Sequence, residues 1–295
     1  MRKMLPMAAI ALALSVVPRA DVAAWGFGGH KFVMDRAIDL LPPQLKPFYD
    51  RFRATLVERS IDPDTYRTVG FVDEPPRHFL DMDAYGSFPF GDLPHDYNTA
   101  VAKYGEALVI KNGTVPWRAE EMYGRLRDAF RDLPRNDLSR EDVKLFSAVL
   151  AHYIADSFVP FHACVNYDGQ ATNQRGIHAR FESELFDRYQ NRLHVIPAPL
   201  TAIPNVREFV FTTLTDSFQA TDPILAADRE AIKGLTLYDD EYFARMWEKT
   251  GPIMEKRLAG AVSGVASAIT QAWVDAGRPA LPADANPRPP RPIKR

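Results

Sequence analysis

LSREDVKLFSAVLAHYIADSFVPFH, residues 138–162, decides the fold class. Leu145, Val149 and Tyr153 recur at four-residue steps, the spacing that stacks side chains on one face of a helix. Ser139 followed by Asp142 reads as a capping-box-like start, with Asp in place of the usual Glu. Pro160 ends the element. The same period recurs on either side. KFVMDRAIDLL (31–41) runs up to the Pro42-Pro43 break, and AEEMYGRLRDAF (119–130) opens with two acids after Pro116, which suits a helix N-terminus. GIHARFESELFDRYQNRL (176–193), VREFVFTTLTDSF (206–218) and the stretch from Asp239 to Ala276 also read as helices. No alternating strand pattern and no internal repeat interrupts them. The expected fold is all-α, a single compact multi-helix domain.

The chain starts with Arg2 and Lys3, followed by an apolar run from Met4 to Val17. That run is shorter than the roughly 20 residues a bilayer span needs. Val22 and Ala24 supply the small residues of a cleavage site. Residues 1–24 therefore read as a signal peptide, cut after Ala24 to leave Trp25 as the new N-terminus. The expectation is an exported protein, periplasmic or secreted, with no transmembrane helix after processing. Residues 25–281 form the expected domain. Residues 282–295, rich in proline and basic side chains, form an expected disordered tail. The formal net charge of −2 announces no general nucleic-acid binder, although total charge does not exclude a local basic face. The one cysteine, Cys164, allows no intramolecular disulfide and reads as a small buried filler. Stability must come from the core, which the 46% hydrophobic content can supply, or from metal.

His152 and Asp156 stand four apart on the strongest predicted helix, and His178 and Glu182 stand four apart on the next. Residues at i and i+4 share a helix face, so each helix offers one imidazole and one carboxylate in the same direction. That is the donor set of a nitrogen/oxygen metal site. His162 lies just past Pro160, where the chain turns back. Asp64 in SIDPDTYR and His78 in DEPPRHFLDMD add an acid and an imidazole in loop-like sequence. The 82–98 segment, with its glycine, proline and aromatics, reads as a loop bordering a cleft. His95 and His194 show no partner pattern and read as surface residues. Asn112-Gly113-Thr114 matches a glycosylation acceptor by pattern, and Trp117, Trp247 and Trp273 read as packing residues.

Taken in order, Trp25, His30, Asp64, His78, His152, Asp156, His162, His178 and Glu182 resemble the zinc-dependent phospholipase C superfamily. That superfamily also contains the single-strand-specific nucleases of the P-one/S-one type. The resemblance implies an all-α fold with three zinc ions in one cleft. It implies one ion held by Asp64, His78, His152 and Asp156, and a second held by His162, His178 and Glu182. A third would be held by the backbone amine and carbonyl of Trp25, by His30, and by Asp156 as a bridge. It further implies phosphodiester hydrolysis by a zinc-activated water, with Asp64 as a proton acceptor and Arg67 at the position of a phosphate-binding arginine. Three divalent ions bring six positive charges against the three carboxylates Asp64, Asp156 and Glu182, so an occupied cleft would attract phosphate.

The resemblance splits over substrate. The Trp25-to-His30 wording, AWGFGGH, is similar to the nucleases, and HFLD (78–81) is similar to their stretch in which Phe stacks on a base and Asp hydrogen-bonds it. Phe79 and Asp81 are thereby candidate substrate-binding residues for single-stranded nucleic acid. The Asp64-to-His78 step, the short His162-to-His178 interval and Glu182 in place of Asp are similar to the phospholipases. The reading favours a phospholipase C-like phosphodiesterase acting on a phospholipid head group. A single-strand-specific endonuclease/3'-nucleotidase is the alternative. A non-catalytic zinc-binding module is a lesser one, since no ligand position is missing. No obligate protein partner is implied.

Overall fold

The computed structural model describes residues 25–133 and 138–281. The expected leader, 1–24, and the expected tail, 282–295, lie outside the described residues. Among those described there is no strand. The chain runs through α1 (Gly26–Leu40), α2 (Lys46–Arg51), α3 (Arg53–Arg59), α4 (Asp62–Thr68), α5 (Tyr97–Tyr104), α6 (Glu106–Lys111), α7 (Val115–Asp132) and α8 (Ser139–Ser157). It continues through α9 (Ile177–Ala179), α10 (Leu185–Tyr189), α11 (Val206–Gln219), α12 (Thr221–Ala231) and α13 (Asp240–Asp275). Short 3-10 turns lie at Pro75–His78, Met82–Tyr85 and Pro160–Ala163. None of the helices among the described residues is long and apolar enough to cross a membrane.

α8 is the axis of the domain. It packs against α1, α3, α7, α11 and α13. Its C-terminal half, Ser147 to Ser157, is buried at every position. Tyr153 lies in the core and Leu145 packs against it, as their spacing predicts. A helix enclosed on all sides should be apolar all round, and SAVLAHYIADS is nearly so. The departures that need a chemical reason are His152 and Asp156, both wholly buried. Leu138 occupies the cap position in place of Ser139, and no side chain caps the helix. The capping-box expectation fails there: Ser139 is the first helical residue. Asp239, by contrast, caps α13 by accepting from the N–H groups of Glu241 and Tyr242.

Two expectations about loops change. Asp64 sits on α4, where Pro63 occupies the first turn, a position at which proline needs no N–H. His78 closes the Pro75–His78 turn. The predicted helix over 176–193 is not uniform. A π-turn, Arg180–Glu184, interrupts it between α9 and α10. Such turns cluster at functional sites, and this one carries Glu182.

The segment 76–81 is clamped from two sides. Thr114 N–H donates to Pro76 O, Val115 N–H to Phe79 O and Asp81 N–H to Asn112 O. On the other side Leu80 N–H donates to His162 O. Gly113 makes the first clamp possible: it has φ +96°, and a Cβ there would fall 2.1 Å from the Phe79 carbonyl oxygen. Gly113→Ala is expected to destabilise the fold by on the order of 3 kcal/mol, through a disfavoured backbone angle and a clash with backbone that cannot turn aside. Urea unfolding measures it, and a loss below half of that would mean the clamp relaxes freely.

Cys164 is buried, and burial pushes its thiol well up, so it remains a filler. Trp117 and Trp273 are buried, and Trp247 stacks on Tyr189. His194 is exposed, as expected. His95 is only half-buried and has partners after all: its Nδ1 lies 2.6 Å from Glu208 Oε2 and its ring stacks on Phe211. Neither partner could be read from spacing, because both come from α11. Asn112 is buried, which leaves no room for a glycan at that pattern.

Candidate metal centre

Five pieces of chain deliver the nine expected ligands to one place. α1 and the residue before it bring His30 and Trp25, α4 brings Asp64, the Pro75–His78 turn brings His78, α8 brings His152 and Asp156, and the segment 160–184 brings His162, His178 and Glu182. All nine are buried. Three groups place their nitrogen and oxygen atoms close enough to share a cation: His30 with Asp64 and His152, His78 with His152 and Asp156, and His162 with His178 and Glu182.

Asp156 is the hub. Its Oδ2 lies 3.1 Å from His78 Nδ1 and 3.3 Å from His152 Nε2, while its Oδ1 lies 3.3 Å from His30 Nε2 and 3.8 Å from His162 Nδ1. One carboxylate thus turns an oxygen to each of two sets of imidazoles. Glu182 is the second hub. Its Oε2 stands 2.9 Å from His178 Nε2 and 3.9 Å from His162 Nε2, and accepts from the backbone N–H of Trp25 at 3.1 Å. The resemblance grouped Trp25 with His30 and Asp156. Here the Trp25 nitrogen faces Glu182, and the His30 ring stacks on His152 at 3.8 Å. Asp64 Oδ1 lies 3.8 Å from His78 Nδ1 and 3.6 Å from Arg67 Nη2, so Arg67 does reach the same cluster.

Whether the cluster fits a metal is decided by its unmet polar atoms. Both oxygens of Asp64, Oδ1 of Asp156, Oε1 of Glu182 and both ring nitrogens of His30 are buried without a hydrogen bond. Buried carboxylate oxygens in native folds almost always find a donor or a cation. The electrostatics point the same way. Burial drives the Glu182 carboxyl well above its ordinary range, and the charges of Asp156 and Asp64 push it further. Burial lowers His152, but Asp156 and Asp64 outweigh it and hold the imidazole at about 9. Burial also opposes ionisation of Asp156, yet His152 keeps it well below the usual carboxylate range. Burial takes His162 down to about 3 and lowers His30. The nest is thus short of positive charge.

Backbone contacts aim the rings. His152 Nδ1 donates to Ser60 O at 2.8 Å and His162 Nδ1 to His78 O at 2.6 Å. In the neutral ring each bond leaves the Nε2 lone pair facing the nest, the orientation a divalent ion requires. A nitrogen/oxygen donor set of this kind, lacking thiolates, suits zinc.

Phe79 and Asp81 come just after His78 in the chain but are themselves 8% and 7% exposed. Phe79 is packed under Gly113, so it presents little ring face to a base. Sequence reasoning passed over Glu74, which precedes His78 by the same four-residue step used for the other two pairs; that spacing was the available signal. Glu74 is 2% exposed and lies 3.6 Å from His78.

Comparison with protein families matches residues 29–233, more than two thirds of the chain, to the family described as zinc dependent phospholipase C. No curated protein matches the chain.

Proposed function

This chain belongs to the zinc-dependent phospholipase C family, and from that premise we propose that it is an exported phosphodiesterase that hydrolyses phospholipids with three zinc ions. The observation that carries the reading is the nest of nine buried ligand residues whose carboxylate oxygens lack hydrogen bonds. Asp64, His78, His152 and Asp156 would hold one ion, His162, His178 and Glu182 a second, and Trp25, His30 and Asp156 a third. Zinc, when bound, supplies Lewis acidity: it polarises phosphoryl oxygens and lowers the pKa of water.

The chain's own residues do the rest. Arg67 places a cation beside the nest for the phosphate. Asp64, both of whose oxygens lack hydrogen bonds, takes the proton released as water adds to phosphorus. The P–O ester bond breaks, and the departing alcohol oxygen is protonated from solvent.

The phospholipid reading is favoured over single-stranded nucleic acid by the chain just beyond α4. There Val69-Gly70-Phe71-Val72 forms an uncharged tip, with Val69, Phe71 and Val72 exposed at 67%, 62% and 84%. Gly70, at φ +97°, turns the chain, and Phe71 N–H donates to Tyr66 O. The helix carrying Asp64 and Arg67 therefore ends in apolar side chains free to enter a bilayer interface, at about 1–2 kcal/mol each. Replacing Val69, Phe71 and Val72 together by serine is expected to weaken vesicle binding and vesicle turnover about tenfold or more. Turnover of a soluble short-chain phosphodiester should be unchanged. Equal losses on both substrates would mean the tip shapes the site and does not dock it.

The deciding experiment uses protein starting at Trp25 and loaded with zinc. Phosphatidylcholine vesicles are scored for head-group release, and single-stranded RNA and DNA for cleavage. Lipid turnover with intact nucleic acid is expected. Cleavage of nucleic acid alone would replace the phospholipid reading with the nuclease one and return Phe79 and Asp81 to a base site. Zinc binding without turnover in either arm would favour the non-catalytic module.

A further inference from the structure

Outside the ligand set, two buried groups, Glu74 and Tyr153, and two partly exposed arginines, Arg77 and Arg118, converge behind His78. Glu74 is one turn upstream of it, at the start of the Pro75–His78 segment. Its Oε1 accepts from the Tyr153 hydroxyl in a short hydrogen bond and stands 3.6 Å from His78 Nε2. Its Oε2 accepts from Arg77 Nη1 at 2.8 Å. Arg118 stacks over the Tyr153 ring at 5.3 Å, adding a second cation to the cluster. Glu74 is therefore pinned through both oxygens and cannot rotate away.

The two nitrogens of His78 face opposite tasks. Nδ1 points into the nest, 3.1 Å from Asp156 Oδ2 and 3.0 Å from His152 Nε2. Nε2 is buried without a hydrogen bond, and Glu74 Oε1 is the carboxylate oxygen set before it. A neutral imidazole carries one N–H. With the proton on Nδ1, that hydrogen would point into the nest and no lone pair would remain for a cation. With it on Nε2, the hydrogen points at Glu74 and the lone pair at the nest. His152 and His162 have this choice made for them by backbone carbonyls. His78 has no such carbonyl.

We propose that Glu74, held by Arg77 and Tyr153, is the positioning residue of His78: it accepts the Nε2 hydrogen and thereby turns the Nδ1 lone pair toward the zinc ligands. Closing the 3.6 Å separation by a few tenths of an ångström completes the bond. The proposal rests on the reading of His78 as a zinc ligand. It assigns a role that none of the nine ligand positions covers.

The test is zinc affinity, measured on metal-free protein by competition with a chromophoric chelator, with cobalt(II) absorbance as a check on the ligand field. Glu74→Ala is expected to weaken binding of one ion by about 10–100-fold and shift the cobalt spectrum, since carboxylates behind ligating histidines act on this scale. The thermal unfolding temperature of the metal-free protein should fall by a few degrees, because the buried Tyr153 hydroxyl loses its acceptor, and that loss is read separately from zinc affinity. Glu74→Gln retains an accepting oxygen and should bind within a few-fold of wild type. Arg77→Met, at a partly exposed side chain, releases one oxygen of Glu74 and should weaken binding a few-fold, which keeps the test open should Glu74→Ala not fold. Wild-type affinity in Glu74→Ala, or in Arg77→Met where the alanine variant fails, overturns the proposal. His78→Ala separates the two layers. If it loses one zinc while Glu74→Ala binds normally, only the positioning role falls. If it keeps full zinc, the ligand reading falls first.

Discussion

Replacing Asp156 by asparagine is expected to lower phosphodiester hydrolysis by about a thousandfold or more, and to lower bound zinc in the same preparation. The size reflects position. The two oxygens of Asp156 face separate sets of histidines, His78 and His152 on one side, His30 and His162 on the other. Asparagine keeps the shape of the side chain but turns one of those oxygens into an N–H donor, aimed at imidazoles or at a cation. It also removes one of only three carboxylates in the predicted ligand set. A thousandfold loss corresponds to about 4 kcal/mol of transition-state stabilisation, a scale that surface ion pairs do not reach. Metal analysis, circular dichroism and turnover of a soluble phosphodiester on one sample test it. Full activity, or lost activity with full zinc, would remove Asp156 from the bridging role.

The clustering of these histidines and carboxylates was legible because its logic is local. His152 with Asp156 and His178 with Glu182 are four-residue pairs, and helical geometry alone aligns each pair. The second pair survives even though a π-turn breaks its helix, because one turn of helix of either kind still brings the two side chains together. Asp64 and His78 were legible as residue types but not as structure: their proline-rich surroundings read as loop, while α4 and a 3-10 turn hold them. Proline is tolerated in the first turn of a helix, and helices this short leave almost no periodic signal. The same weakness hid α2, α3, α5 and α6. α12 was missed too, because TDPILAADREA looks like a turn at Asp222-Pro223. Spacing could not reveal contacts between distant elements: Glu208 with His95, Ser60 with His152, and Tyr153 with Glu74. Such contacts are set by packing angles, which are absent from any single stretch of sequence.

A protein that begins at Trp25 is expected to bind one more zinc than the same protein retaining Ala24, and to hydrolyse its substrate at least about tenfold faster. Trp25 is wholly buried, and its indole N–H donates to Ala155 O at 2.9 Å. That bond anchors the residue against α8, so its backbone nitrogen cannot swing out of the nest. The nitrogen lies 3.1 Å from Glu182 Oε2, and the residue adopts a left-handed φ of +33°, a conformation disfavoured for a bulky side chain. Strain of that kind, held beside a buried candidate metal cluster, is what a chain tolerates when position matters more than local comfort. A peptide nitrogen has no lone pair to give a cation. A free α-amine, with an unperturbed pKa near ~8, gives one readily once zinc displaces its proton. Removal of the expected leader would then be the last step in building the site, and the precursor would be at least about tenfold less active before it. Zinc counting on the two forms decides the matter, provided mass spectrometry verifies each N-terminus. Equal counts would take Trp25 out of the ligand set and leave its nitrogen as a hydrogen-bond donor to Glu182 alone.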